Sequence, residues 1–270
     1  MIFRRIKSHI EKENWFAVAI DFFIVVVGIL IAFQITNWSE RRATAVDERE
    51  FLNRLHGDIL ELQERRTEYD KSRPEILEIL NVITEFLYGD RDDLSTAEAL
   101  QVQFLPELAD FEGLVESSIC NHFEWTDALT VPPATLPTAT EIVSAGRMND
   151  ITSNNVKSAL QTFLQQSERA EEYIGAIRKN VIRLTITFPD LFEIRSSKWD
   201  YDLEGETFSH YRCDYEAMRA NPAFLNALEV SVRNYSNYTF KGIFPASEKL
   251  AELHQAVDEE LGLTHNSEAE

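Results

Sequence analysis

The feature that most constrains this chain is an apolar run near its N-terminus, WFAVAIDFFIVVVGILIAFQITNW at residues 15–38. A helix needs about 20 residues to cross roughly 30 Å of hydrocarbon, and the central stretch, residues 16–35, is long enough. Residues 22–33 are apolar on every face apart from one glycine, which is not typical of an amphipathic core helix. Trp15 and Trp38 suit the two membrane interfaces. The run therefore predicts a transmembrane helix.

A cleaved signal peptide is the alternative interpretation, because basic residues precede the run. A signal peptide has an apolar region of about 7–15 residues and ends at a small-x-small cleavage site. This run is longer, and FQITNW at residues 33–38 contains no such site. We therefore predict an uncleaved anchor.

The orientation of the anchor is not decided by counting basic residues, because they occur on both sides of it. The basic residues near the run are Arg4, Arg5, Lys7 and Lys12 before it and Arg41, Arg42, Arg49 and Arg54 after it. The first group lies in a short segment with little to translocate. We therefore expect residues 1–14 to be a basic cytoplasmic tail, with the larger part of the chain outside the cytoplasm.

The composition predicts a folded, acidic, helical protein. The formal net charge is -20, which disfavours a nucleic-acid partner on electrostatic grounds. Hydrophobic residues make up 44% of the chain and charged residues 27%. Only 9 glycines and 8 prolines in 270 residues favour long helices over a strand-rich sandwich.

The first apolar stripe after the run predicts that its helix continues as a stalk. The stripe consists of Leu52, Leu55, Ile59 and Leu62. Pro74 is expected to break this helix and to open a second one, which Gly89 ends. The apolar face of that second helix is Ile76, Leu80, Ile83 and Leu87.

Capping patterns predict two further helix starts. Ser95 with Glu98 forms a capping box for a helix interrupted near Pro106, and Thr138 with Glu141 forms another. The second of these helices is expected to be short and to end at Gly146. The Pro/Thr-rich stretch VPPATLPTAT, between residues 130 and 140, is the best internal boundary.

Three more helices are expected in the C-terminal half. A long one has apolar or small residues at alternating steps of four and three, namely Val156, Leu160, Phe163, Ser167, Ala170, Ile174, Ile177, Val181 and Leu184. LTITFPDLF at 184–192 could be a short strand because of its β-branched residues, but isolated strands are marginal, so it is interpreted as the end of that helix plus a loop. Asn221 and Pro222 start the next helix as N-cap and first residue, and residues 246–261 form the last, which Gly262 ends.

The predicted fold is all-α: one N-terminal transmembrane helix continuous with a long stalk helix, followed by an antiparallel helical bundle. The segments are 1–14 (basic tail), 15–38 (transmembrane helix), 39–129 (stalk and first helical segment), 130–262 (second helical segment of the same bundle) and 263–270 (frayed tail).

Two stretches carry a resemblance. RRIK, an apolar helix that contains a carboxylate, and VVVGILIAFQITNWSERR leading into a charged helix resemble the anchor of an uncharacterised bacterial family of single-pass membrane proteins. TATEIVSAGRMNDITSNNVKSALQTFLQQSERAEEY is similar to a second element of that family, a threonine-led short helix followed by a turn and a long helix. The resemblance covers about a third of the chain and implies a proteobacterial inner-membrane protein. It brings no activity and no catalytic residues.

The transmembrane segment contains a candidate association face. Asp21, Gly28 and Ala32 share one helical face, and a Gly-x-x-x-Ala pattern lets two membrane helices approach closely. An ionisable residue within a span indicates a site. The alternative is that Asp21 lies close enough to the interface to be hydrated and that Gly28 is incidental.

The two cysteines leave three alternatives open. Cys120, His122, His210 and Cys213 together are a ligand set for tetrahedral zinc. Cys120 and Cys213 could instead form a disulfide in an oxidising compartment, or be two unrelated buried thiols.

No motif for catalysis is recognisable. The titratable residues Glu124, Glu141, Asp150 and His122 are available, but an exposed charge on a helix is the simpler interpretation of each. An aromatic segment, Tyr235, Tyr238, Phe240 and Phe244, could line a small pocket, but core packing is the more economical interpretation.

The predicted function is a non-enzymatic scaffold or accessory subunit of an envelope complex, without cofactor. Its expected partners are the lipid bilayer and either further copies of itself or another membrane protein. A ligand-sensing ectodomain that signals through a partner is the alternative, and an enzyme without a recognisable motif is the third.

Overall fold

A computed structural model describes residues 15–104, 114–198 and 207–263 of the chain. Within these ranges it describes only the backbone of residues 15–19, 21, 41, 114–118, 194–198 and 207–210. The helix interruption expected near Pro106 and most of both predicted tails lie outside the described residues. The described chain is mainly helical, as predicted for an all-α fold.

The described residues form helices, two strands and one π-helix. They are α1 Trp15–Tyr88, α2 Ser95–Phe104, α3 Leu114–Trp125, α4 Pro137–Ser144, α5 Asn154–Arg178, α6 Leu184–Thr187, β1 Phe192–Lys198, β2 Thr207–Cys213, α7 Tyr215–Arg219, α8 Pro222–Asn237, a π-helix Tyr238–Ile243 and α9 Phe244–Leu261. Short 3-10 turns cover Met148–Asp150 and Pro189–Leu191.

The chain forms two compact units, one up to Asn53 and one from Arg54, and the division falls within α1. In the apolar segment of the first unit most large apolar side chains are exposed, as for Phe22, Phe23 and Phe33. α1 is long and apolar enough to cross a membrane, judged by its length and composition. The continuous span and stalk helix predicted from the sequence is therefore present as one helix.

The second unit has its own closed core. One face of α1 is buried at Leu55, Ile59 and Leu62. Further along α1, residues 76–87 join a cluster with side chains of α3, α8 and the π-helix. Segments on both sides of the Pro/Thr-rich connection belong to this one unit.

The predicted helix break at Pro74 is wrong, because α1 continues through this residue to Tyr88. A proline inside a helix costs about 3 kcal/mol. Complete burial of each large apolar side chain contributes about 1.5–3 kcal/mol, and Leu80 and Ile83 are both fully buried beyond the proline. The stripe also keeps its phase past Pro74, with Arg66, Tyr69 and Arg73 at the intervening steps. Packing on one continuous face therefore outweighs the local cost.

Both capping boxes are replaced by other contacts. α2 does begin at Ser95, but Asp93 Oδ1 accepts from the Ser95 amide at 3.0 Å and from its hydroxyl at 2.6 Å. At α4 the Thr138 amide donates to Asp58 Oδ2 of α1 at 2.7 Å. The supposed box partner Glu141 instead accepts from Arg54 at 3.1 Å. A tertiary contact therefore caps α4.

The predicted glycine helix ends are confirmed. Gly89, Gly146 and Gly262 have φ of 86°, 67° and 70°, a conformation that glycine adopts without strain. At Gly146 the amides of Arg147 and Gly146 donate to the carbonyls of Ile142 and Val143, which is a Schellman end.

The long helix α5 ends earlier than predicted, at Arg178. Its face is buried at Val156, Leu160 and Phe163, and it packs against α9. Asn180 closes the helix, since its amide donates to the Ile177 carbonyl at 2.9 Å and its side chain to the Ala176 carbonyl at 3.2 Å. Leu184 is buried but starts the separate turn α6.

A two-stranded antiparallel sheet follows, which the sequence reasoning did not predict. Residues 184–191 are mostly helical turns, and β1 begins at Phe192, the last residue of the stretch interpreted as helix end and loop. In the register Phe192 lies opposite Cys213. The sheet thereby brings the end of β2 beside α3, with which it packs.

The aromatic segment lies mostly in the core, as favoured. Asn221 Oδ1 caps α8 by accepting from the amides of Ala223 and Phe224, each at 3.1 Å. Tyr235 and Tyr238 are fully buried, whereas Phe240 is 51% exposed. The last helix begins at Phe244, not at residue 246, because the π-helix leads directly into it.

Candidate functional site

The predicted association face of the apolar segment is open. Gly28 and Ala32 are exposed, and a Cβ added to Gly28 would meet no atom within 4 Å. The backbone of Asp21 belongs to α1, and its side chain lies outside the described part of the chain. Gly28 and Ala32 therefore present backbone that another helix could approach.

Of the alternatives for the cysteines, the structure contains the disulfide. Cys120 in α3 and Cys213 at the end of β2 are joined, with their Cα atoms 5.8 Å apart and a sequence separation of 93. Bonded sulfurs offer no thiolate, so the four-residue zinc set loses half its ligands. His122 is buried in α3, and the His210 side chain lies outside the described part.

Further contacts hold β2 to the same turn of α3. The Tyr211 amide donates to Asn121 Oδ1 at 3.1 Å, and the Tyr211 hydroxyl donates to the Glu124 carboxylate. Burial, the hydrogen bond to Glu124 and the charge of that carboxylate raise the pKa of Tyr211 well above its ordinary value. The disulfide is therefore part of a larger junction between the strand pair and the bundle.

A buried cation connects α1 with two irregular segments. Arg66 is 2% exposed and donates to the carbonyls of Pro133 at 2.7 Å and Ile243 at 3.1 Å. Its Nε donates to Ser247 Oγ, which in turn donates to Asp70. Burial lowers the pKa of Arg66. These contacts satisfy backbone at the proline-rich connection and at the π-helix, so the role of Arg66 is structural.

A cluster of two histidines and one aspartate lies between α1 and α9. His56 Nε2 lies 3.2 Å from His254 Nε2 and 3.1 Å from Asp258 Oδ1. His254 Nε2 lies 3.4 Å from Asp258 Oδ2. The side chains are only 16%, 16% and 12% exposed. We refer to His56, His254 and Asp258 as the His/His/Asp cluster.

The His/His/Asp cluster follows from where these residues stand in their helices. Positions i and i+4 lie on one helical face, so α9 presents His254 and Asp258 together. His56 comes directly after the buried Leu55, at the edge of the buried face of α1. Imidazole nitrogen and carboxylate oxygen are ligands for transition metals, and they can also share a proton. Among the described residues this is the group of three such side chains whose ligand atoms all lie within 4.8 Å of one another.

The sequence reasoning missed this cluster, because His56 and His254 are 198 residues apart. A local signal was present. His56, His254 and Asp258 each follow a buried apolar residue of their helix by one position, as Leu55, Leu253 and Val257 show. Titratable residues bordering an apolar stripe point toward a helix interface, but they do not identify which helix supplies the partner.

The carboxylates considered as catalytic residues are engaged elsewhere. Glu124 accepts from Tyr211, Glu141 pairs with Arg54, and Asp150 pairs with Arg147 at 2.7 Å. A shallow polar groove of about 320 Å³ lies between α5 and α9. Its lining residues are Asn155, Ser158, Ala159, Thr162, Glu252, Gln255, Ala256 and Glu259.

Comparison of the chain with protein-family models, with curated proteins and with solved structures found no match. The resemblance to a family of bacterial single-pass membrane proteins therefore stays a prediction from the sequence.

Proposed function

We propose that this protein is a single-pass protein of the bacterial inner membrane, with its N-terminus in the cytoplasm and its folded unit in the periplasm. There it acts as a non-enzymatic scaffold or accessory subunit of an envelope complex. The observation that carries this proposal is the exposed apolar segment of α1, next to a unit that buries its own apolar residues. Such a segment is stable in a bilayer and costly in water.

The disulfide supports the periplasmic placement. Disulfides persist in oxidising compartments such as the periplasm and are rare in the cytosol. Alkaline phosphatase, which needs disulfides to be active, should be active when fused after Glu270, and green fluorescent protein fused there should be dark when exported through the general secretory route. The opposite pair of results would contradict the orientation.

Gly28 and Ala32 support association within the membrane. Small residues one turn apart allow close helix packing, and packing of this kind drives association where the hydrophobic effect is absent. We propose that this face, with Asp21, contacts a second copy of the chain or the membrane helix of another protein.

The test is purification of the tagged full-length chain in native nanodiscs, followed by mass spectrometry and mass photometry. The wild type should carry a stoichiometric partner or form a defined homo-oligomer. Gly28→Ile should weaken that assembly, and since a Cβ at Gly28 meets no atom of the chain, the fold should persist. Val26→Leu, on the opposite face of the helix, is the control. Equal assembly in both variants would contradict the membrane-face proposal.

The alternative of a ligand-sensing unit has one structural starting point, the polar groove between α5 and α9. A metabolite that binds there would raise the melting temperature of the wild type. Thr162→Arg, which introduces a long side chain into the groove, should abolish that rise.

A further inference from the structure

We propose that the His/His/Asp cluster is a binding site for one divalent transition-metal ion, with Zn²⁺ as the best-suited ion. The site is made by His56 of α1 and by His254 and Asp258 of α9, and all three residues belong to the unit that starts at Arg54. It is distinct from the zinc set considered from the sequence, which contained the two cysteines. The proposal does not depend on the membrane role.

The distances between the ligand atoms fit a metal. Zinc binds imidazole nitrogen and carboxylate oxygen at about 2.0–2.2 Å, so neighbouring ligands of a tetrahedral ion are roughly 3.3–3.5 Å apart. In the cluster the two Nε2 atoms are 3.2 Å apart, and their distances to the carboxylate are 3.1 and 3.4 Å. A small inward or outward adjustment of the side chains would therefore suffice to hold the ion.

The chemistry of the ligands selects the class of ion. Imidazole suits zinc, copper, iron and nickel, whereas magnesium and calcium prefer sites made of oxygen. Two imidazoles and one carboxylate form the ligand set of several zinc sites that leave a fourth position for water. The partial exposure of the three side chains gives water a route to that position.

A single shared proton cannot bind to all three groups of the cluster at once, whereas a metal ion can. A neutral imidazole has one N–H and one lone pair, so at most one of the facing Nε2 atoms donates to the other when both rings are neutral. A metal ion accepts lone pairs from all three groups at once.

The positions of the ligands on α1 and α9 indicate that a bound ion would stabilise the folded unit. His254 and Asp258 are one turn apart on α9, as metal ligands on a helix commonly are, and His56 comes from near the start of the folded unit. An ion at the cluster would tie together residues 198 apart in sequence. Because the unfolded chain lacks the preformed site, binding would stabilise the native state. The net charge of -20 would also raise the local concentration of cations.

The experiment is zinc titration of the full-length protein in detergent, after removal of metals with a chelator. Isothermal calorimetry should show one equivalent of Zn²⁺ bound, and a hundred-fold excess over Kd should raise the melting temperature by roughly 5 °C. Co²⁺ in place of zinc should give the intense visible absorption of a four-coordinate site, which the hydrated ion lacks.

Asp258→Asn and His254→Gln should each weaken zinc binding by at least about 100-fold, since each replaces a ligand and the loss of an outer-shell partner alone costs about 10–100-fold. Glu259→Gln is the matched control: it makes the same chemical change at the next residue, whose carboxylate accepts from Gln255, and should bind zinc like the wild type. Equal binding by Asp258→Asn and Glu259→Gln would overturn the proposal. If the ligand variants fail to fold, the wild type alone still tests the proposal. A wild-type chain that binds no zinc and gives no cobalt spectrum would also overturn the proposed site.

Discussion

Two stretches of the same helix behave in opposite ways. In residues 22–38 of α1 most apolar side chains are exposed, and Ile24 is 61% exposed. In residues 54–88 they form one buried face, and Ile59 is 0% exposed. Both stretches are helical, so backbone propensity does not separate them. The difference is in what surrounds each stretch: the second packs on its own chain, whereas the first leaves apolar surface exposed, which is costly in water.

The largest loss of stability should come from removing the disulfide, which lies in the folded unit and not in the apolar segment. Cys120→Ser together with Cys213→Ser removes a bond between residues separated by 93 positions, which should cost about 2–5 kcal/mol. Thermal unfolding in detergent checks this, and membrane association should be unchanged. Equal melting temperatures with and without reducing agent, with both cysteines alkylated before reduction, would contradict the junction described between β2 and α3.

The same substitution in each stretch sharpens the contrast. Ile59→Ala leaves a cavity in the core and should lower the free energy of unfolding by about 2–5 kcal/mol. Ile24→Ala shortens an exposed side chain by three carbon atoms and should leave the stability of the folded unit almost unchanged. Guanidinium unfolding, followed by near-UV circular dichroism, measures both. Similar losses in the two variants would mean that residues 22–38 also belong to a protein core.

Substitution of two glycines, one in the folded unit and one in the apolar segment, should produce a smaller difference in stability. A Cβ at Gly242 in the π-helix would lie 2.9 Å from Cγ1 of the buried Ile174, so Gly242→Ala should cost about 1–3 kcal/mol. A Cβ at Gly28 meets no atom within 4 Å, and Gly28→Ala should not destabilise the unit. The midpoint of guanidinium unfolding distinguishes the variants. A tolerant Gly242→Ala variant would show that α5 and the π-helix pack less closely than described.

The smallest predicted change is in the stability of the folded unit at alkaline pH. Unfolded tyrosine loses its proton near pH 10.0, whereas Tyr211 in the fold keeps it to higher pH because its pKa is raised by burial and by Glu124. The free energy of unfolding should therefore fall as the pH rises above 10.0. Tyr211→Phe removes the titrating group and should lose less stability between pH 8 and about pH 11 than the wild type does. An equal or steeper decline would contradict the assigned burial.

The sequence predicted those features of the fold that depend on neighbouring residues. Gly89, Gly146 and Gly262 end helices because their own backbone conformation allows it. Asn221 caps α8 with its own side chain. The apolar run of α1 is visible from composition alone. In each case the interacting groups lie within a few residues of one another, so the local sequence is sufficient to predict the feature.

The features that were missed depend on contacts between distant residues. Pro74 stays within α1 because apolar side chains of the same helical face are buried both before and after it, and Asp58 replaces the cap expected from Thr138. The strand pair is short and polar, so its pattern is weak, and its position depends on α3. The His/His/Asp cluster requires knowing that α1 and α9 meet. Single helices do not reveal their partners, which is why this site was not predicted.

The most direct test of the account is photolabelling of the full-length chain in lipid vesicles with a carbene reagent that resides in the bilayer. Labelled residues are then mapped by mass spectrometry. The account predicts that labels are confined to the apolar segment, residues 16–35, and that peptides from residues 54–263 carry none. Labels spread through residues 54–263, or an unlabelled apolar segment, would contradict the claim that one helix joins a membrane anchor to a unit folded in water.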